Sequence, residues 1–447
     1  MKKINATPRD LARVVFNKLR GIKTSSQVPD QKLLNSLFEN LFYASLKTEE
    51  SESIKVTITL IDRENPDPKP PENITNDRWS FIRFSEDIIF DVKNIVKLSK
   101  AADPWSSSLA VDYNSKGELF IWGLIDQSIH YQNYLHYESE SGPEQPGLFQ
   151  TSITGTGTLL VILDYDLVAT LKQNILISNY VDVFKYGTVS EIVKSHSKIL
   201  SDQIESYLKN YPHENYEYWS GRVNTLWTQT LSRILIKIQN YNRGGSFIIT
   251  TGESYEFDIK HNIKYDRIFT ALYKFIKFSI EYNNQSNLIL KIKDDDHVPM
   301  GIYLDEMIAY SDKQETSNEL KGAIRFLASL TCIDGLVLLN KKLNAVGFGA
   351  VVKKINLPSE IYISKSARIN QDKLEAINPN HFGTRHRAIL SYCWKHDGSL
   401  GFVVSQDGDI RTITKVGNKL IMWENIRVHH IVRSTKLRNS SILSRKM

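Results

Sequence analysis

Hydrophobic positions fall into two regimes along the chain. In the first 190 residues short runs with a period of two prevail. Ile54, Val56, Ile58 and Leu60 alternate with mostly polar neighbours, which predicts a half-buried strand. Ser108–Val111 and Glu118–Leu124 read as strands joined across Asn114-Ser115-Lys116-Gly117, and Thr158–Leu163 as another. Between them, Pro66, Pro68, Pro70 and Pro71 stiffen a loop over 62–76, and Asp91–Lys100 has a helical look. Near the start, Thr7-Pro8 reads as an N-cap followed by proline in the first turn. Leu11, Val14, Val15 and Leu19 then share one face of a helix.

Beyond residue 190 the spacing becomes helical. Ile192–Lys209, Val223–Tyr241, Tyr265–Glu281 and Asn318–Leu330 predict helices, with a further one starting near Thr384. Short β-branched runs predict strands at Ser246–Thr250, Asn287–Ile292, Gly335–Leu339, Ala345–Val352, Gly401–Ser405 and Asp409–Ile413. The expected fold is therefore mixed α/β (α+β). A sheet-rich N-terminal domain, 1–190, precedes a domain at 191–447 whose mixed central sheet is covered by helices.

Composition narrows the class. The 447 residues hold two cysteines, which excludes a disulfide-stapled scaffold. No apolar run reaches the length of a membrane span, and the basic N-terminus lacks the apolar core of a secretory signal, so a cytoplasmic protein with no membrane partner is expected. The net charge of +6 (56 − 50) is small for this length. It is uneven, because Arg427, Arg433, Lys436, Arg438, Arg445 and Lys446 lie in a final stretch without an acid. That stretch either contacts an anionic partner or is solvated. It lacks interleaved aromatic groups, so nucleic acid is not the expected partner.

Three segments carry candidate chemistry. Gly383-Thr384-Arg385-His386-Arg387 opens a helix whose Ile389, Tyr392 and Cys393 share one face. Unpaired N–H groups at a helix start, with two forked guanidinium groups beside them, suit a phosphate; a solvated basic turn is the plain alternative. Asp334-Gly335 stands at the mouth of the apolar strand Leu336–Leu339. An acid there binds a metal or a partner, or the pair is simply a turn. Val403-Val404-Ser405-Gln406-Asp407-Gly408 runs from a strand into a tight turn, where Ser405 can reach a phosphate and Asp407 a metal, or both serve a hairpin. Gly244-Gly245 reads as a helix end, or as a point of close approach to a nucleotide. The weaker Asp294-Asp295-Asp296-His297 run lacks the pattern of a calcium loop.

Taken together and in this order, Asp334-Gly335-Leu336, the Gly383–Arg387 run and Ser405-Gln406-Asp407 resemble the diadenylate cyclase (DisA-type) nucleotide-binding domain over about residues 215–435. The resemblance implies a fold with two ATP-loaded domains face to face in a homo-oligomer. Each 3′-hydroxyl attacks the α-phosphate of the other nucleotide, which gives cyclic di-AMP and pyrophosphate with Mg2+ or Mn2+. It implies that Asp334 binds the metal and helps activate the hydroxyl, and that Thr384, Arg385, His386 and Arg387 hold phosphates and metal. Ser405 would contact phosphate, and Gly335, Leu336, Gly383, Gly244 and Gly245 would border the nucleotide. Three features depart from the family pattern: Leu336 replaces the usual alanine, Gln406 a common glutamate, for which Asp407 is the possible substitute, and Leu357-Pro358-Ser359 matches the family's Leu-Pro-Leu-Ser segment only in part. A nucleotide-binding protein without turnover is the alternative. The stretch from Asp103-Pro104 to Trp122-Gly123-Leu124-Ile125 resembles the sensor region ahead of some of these cyclases, which implies a regulatory module with an unknown ligand.

Overall fold

The computed structural model describes residues 2–20, 29–67, 79–102, 106–126, 149–163, 166–211, 214–241, 243–252, 256–292, 298–406 and 408–428. Its chain contacts divide between Tyr180 and Val181 into two compact units. Asp103–Trp105, Asp294–His297, Asp407, His429-His430 and the basic tail after Val428 lie outside the described residues.

The N-terminal unit runs β1 (Lys2–Ile4), α1 (Pro8–Arg20), α2 (Gln31–Ser45), the small hairpin β2 (Thr48–Glu49) and β3 (Glu52–Ser53), then β4 (Val56–Leu60) and β5 (Ser80–Ile89). There follow α3 (Val92–Leu98), β6 (Ser107–Tyr113), β7 (Leu119–Asp126), β8 (Phe149–Gly155), β9 (Thr158–Leu163), β10 (Asp166–Lys172) and β11 (Ile175–Ile177). Nine strands form one sheet in the order β1-β11-β10-β9-β8-β4-β6-β7-β5. Leu11, Val15 and Leu19 of α1 and Leu34, Leu37 and Leu41 of α2 share a core with Val56, Ile58 and Val161. Thr7 and Asp10 cap α1 reciprocally: the Thr7 backbone N–H donates to Asp10 Oδ2 at 3.0 Å, and that of Asp10 to Thr7 Oγ1 at 3.4 Å.

β4 corrects the expectation of a half-buried strand. Its alternate face is also buried, because Thr57 pairs with Ser152 at 2.8 Å and Thr59 with Ser108 at 2.6 Å. Hydroxyls that satisfy one another across strands permit a polar residue on a covered face.

The C-terminal unit holds α4 (Gly187–Leu208), α5 (Tyr216–Asn240), β12 (Gly245–Ile249), β13 (Phe257–Tyr265), α6 (Arg267–Ile292) and α7 (Met300–Leu330). Next come β14 (Leu336–Leu339), β15 (Ala345–Val352), β16 (Ile361–Ile363), β17 (Glu375–Ile377), α8 (Thr384–Lys395), β18 (Leu400–Val404), β19 (Ile410–Val416) and β20 (Lys419–Trp423). Its nine-stranded mixed sheet has the order β13-β15-β14-β12-β18-β19-β20-β16-β17. Ile389, Tyr392 and Cys393 of α8 bury against Ile248, Leu336, Leu338, Val403 and Ile413. The mixed α/β class is as expected. The run Asn287–Ile292 is not a strand but the last turns of α6, where Ile289 is buried while Leu288 and Leu290 face solvent. A short apolar run does not by itself distinguish the two periods. No helix among the described residues is long and apolar enough to cross a membrane.

Candidate functional site

Strand register brings the distant motifs to one edge of the C-terminal sheet. β12 pairs in parallel with β14, Phe247 beside Val337, and antiparallel with β18, Gly245 beside Val404. Gly244 before β12, Asp334-Gly335 before β14 and Ser405 after β18 therefore meet at the same end. α8 leads through a short turn into β18 and packs on β18 and β19, so its first turn overhangs that end. There Arg385 Nη2 donates to Asp334 Oδ1 at 2.7 Å.

The glycines serve this convergence by packing. Gly335 has φ +107°, and a Cβ on it would lie 2.6 Å from the Gly349 carbonyl carbon of β15. A Cβ on Gly245 would meet Thr331 Oγ1 at 2.4 Å, and one on Gly244, with φ +68°, would press on Val404 O and Gln406 N at 3.1 Å. The room that these residues open is thus filled by the chain itself, which locks the end of α7 against the turn after β18. Leu336 is buried in the core beneath α8. Gly383 is the N-cap of α8, and no side chain caps the helix; Gly383 and Thr384 are both exposed.

Three guanidinium groups and two carboxylates set the local field. Asp334 is fully exposed and, among the described residues, is held only by Arg385. Among the described residues Arg387 Nε is buried without a hydrogen-bond partner, a costly state for a cation. His386 lies within 3.0 Å of Arg411 Nη1 through its Nε2, and Arg411 Nε in turn lies 3.0 Å from Glu424 Oε1. Burial, reinforced by the Arg411 charge, pushes the His386 imidazole down to about 4, so it is neutral at pH 7. Phe382 stacks on its ring at 5.3 Å. Ser405 Oγ accepts from the Asp409 N–H at 3.1 Å, which leaves its own proton to donate.

Arg411 and Glu424 escaped the sequence reading. Arg411 lies two positions before Ile413, hence on the same face of β19, the one that packs against α8. The Arg-Thr-Ile alternation carried that signal, but β20, which delivers Glu424, was not read at all. For a divalent cation the described residues offer the free oxygen of Asp334 and no cluster of three histidine, cysteine or acidic ligands. That donor set suits Mg2+ or Mn2+ bound mainly by water and substrate phosphates. His386 Nε2, facing a guanidinium, does not fit a metal.

A family model matches part of the N-terminal unit. Residues 23–126 match the family model described as "Probable sensor domain DACNV". It is the N-terminal sensor domain of DisA-like diadenylate cyclases. The match runs from α2 to β7 and includes Trp122, which is buried and donates from Nε1 to Ile61 O at 3.3 Å. Neither a curated protein nor a solved structure matches the chain.

Proposed function

We propose that the C-terminal unit condenses two ATP into cyclic di-AMP and pyrophosphate under control of the N-terminal sensor domain. The observation that carries this reading is the meeting of Asp334 and Arg385 at 2.7 Å, across 51 positions, in the first turn of a helix that also carries Arg387. The sensor-domain match adds support, because that module accompanies cyclases of this kind.

In this reading Arg385, Arg387 and the open first turn of α8 bind the phosphates, and Ser405 donates to a further oxygen. Guanidinium groups fixed before the substrate arrives neutralise phosphoryl charge at little reorganisation cost. Asp334, exposed and with one oxygen not engaged by Arg385, would hold Mg2+ or Mn2+ and would be the carboxylate available to the attacking 3′-hydroxyl. A metal bound there supplies Lewis-acid polarisation of the phosphoryl oxygen. Each unit offers one such edge, so two copies must face each other for reciprocal attack. Each 3′-oxygen then bonds to the opposing α-phosphorus, pyrophosphate leaves, and the hydroxyl proton goes to a carboxylate or to water.

A second reading keeps ATP binding without turnover. It is favoured by Gln406 in place of an acid and by Asp334 as the one carboxylate paired with Arg385 among the described residues. Incubation of the full chain with ATP and Mn2+ or Mg2+, followed by chromatography of the products, separates the two. Cyclic di-AMP and pyrophosphate in the wild type and not in Asp334→Asn support the cyclase; saturable ATP binding with no product supports the second reading.

A further inference from the structure

His386 has two neighbours that constrain its chemistry, Arg411 and Phe382, and Glu424 stands behind Arg411. Arg411 Nη1 lies 3.0 Å from its Nε2, Glu424 Oε1 lies 3.0 Å from Arg411 Nε, and Phe382 stacks on the ring. A guanidinium has only donors. The short contact therefore requires a lone pair on Nε2, and a neutral imidazole with its lone pair there carries its proton on Nδ1. Protonating both nitrogens would set an N–H against an N–H. Arg411 is itself mostly shielded, at 17% side-chain exposure, and it is ion-paired with Glu424 at 3.0 Å, although its Nε makes no hydrogen bond among the described residues.

We propose that Arg411, held by Glu424, is a positioning residue that fixes His386 as the tautomer protonated on Nδ1. The ring then meets a bound phosphate as a hydrogen-bond donor, and its Nε2 is closed to metal. The functional part of this inference rests on the cyclase reading; the tautomer does not.

The test is the 15N spectrum of full-length protein labelled at histidine, with the His386 signals assigned by their loss in His386→Gln. The expected result is a protonated Nδ1 and a bare Nε2 at pH 7, unchanged on adding Mn2+-free Mg2+, with a shift toward the Nε2–H form in Arg411→Met. Should Arg411→Met fail to fold, Glu424→Gln loosens the same clamp and shifts the populations in the same direction. A wild-type ring protonated on Nε2, or a tautomer indifferent to both substitutions, overturns the proposal. If cyclic di-AMP is formed, Arg411→Met lowers kcat by about tenfold or more with a smaller change in KM, and Arg411→Lys restores part of it. An unaltered kcat in a variant whose tautomer has shifted overturns the catalytic part. If the wild type forms no cyclic di-AMP, the cyclase reading fails while the spectrum still decides the tautomer.

Discussion

Arg385 donates to Asp334 at 2.7 Å, although 51 positions separate them in sequence. The pair is open to water, with Asp334 fully exposed, and an exposed pair adds little to stability. Its place is therefore better explained by what both groups do to a ligand. Asp334→Asn is expected to leave the thermal midpoint unchanged and to lower product formation about 100-fold or more. Differential scanning calorimetry beside a product assay checks both halves.

Arg387 makes the opposite bargain. Its buried, unpartnered Nε costs folding free energy that no internal hydrogen bond offsets. Arg387→Met should leave the unfolding midpoint equal or higher, while ATP affinity falls about tenfold or more. Calorimetric titration with ATP and urea unfolding of the same preparation measure the two effects.

Gly335 holds a backbone conformation and a close contact that a Cβ would strain. With φ +107° and Gly349 where a Cβ would lie, Gly335→Ala should destabilise the C-terminal unit by about 3 kcal/mol. Gly383→Ala, with open space around it, serves as the control. Equal midpoints for the two variants in urea would contradict the packing described.

Much of this was legible in the sequence, and the failures have physical causes. Thr158–Leu163 and Ala345–Val352 were read with the bounds observed, because β-branched runs end at turn residues. The first half of α7 was missed: Met300, Leu304, Met307 and Ile308 are exposed and mark no inward face. β13, β16, β17 and β20 were also unread, and three-residue strands such as β16 hold too little pattern to register. The motifs named the residues of the site, but only strand register says that Gly244, Asp334 and Ser405 share one edge. Charges paired through space, such as Arg411 with Glu424, leave no trace in local spacing.

A buried histidine makes the C-terminal unit acid-sensitive. Burial, with a smaller contribution from Lys341, pushes His196 from its ordinary 6.5 down to about 4. Below 6.5 the unfolded chain takes up the proton and the folded one does not. The contribution of His196 is thus complete above about pH 6.5 and falls by about 1.4 kcal/mol per pH unit toward pH 4, and His386, also near 4, adds a loss of the same sign. Urea unfolding between pH 7.5 and 4.5 should show this slope, and His196→Gln should flatten it in part; an unchanged slope would contradict the assignment.

The most direct measurement is a crystal structure of the full chain with Mg2+ and an ATP analogue that resists transfer at the α-phosphate. The account predicts a single triphosphate bounded by Arg385, Arg387 and Ser405, with Asp334 turned from Arg385 to the metal. A nucleotide seated elsewhere, with the Asp334–Arg385 pair intact, would contradict it.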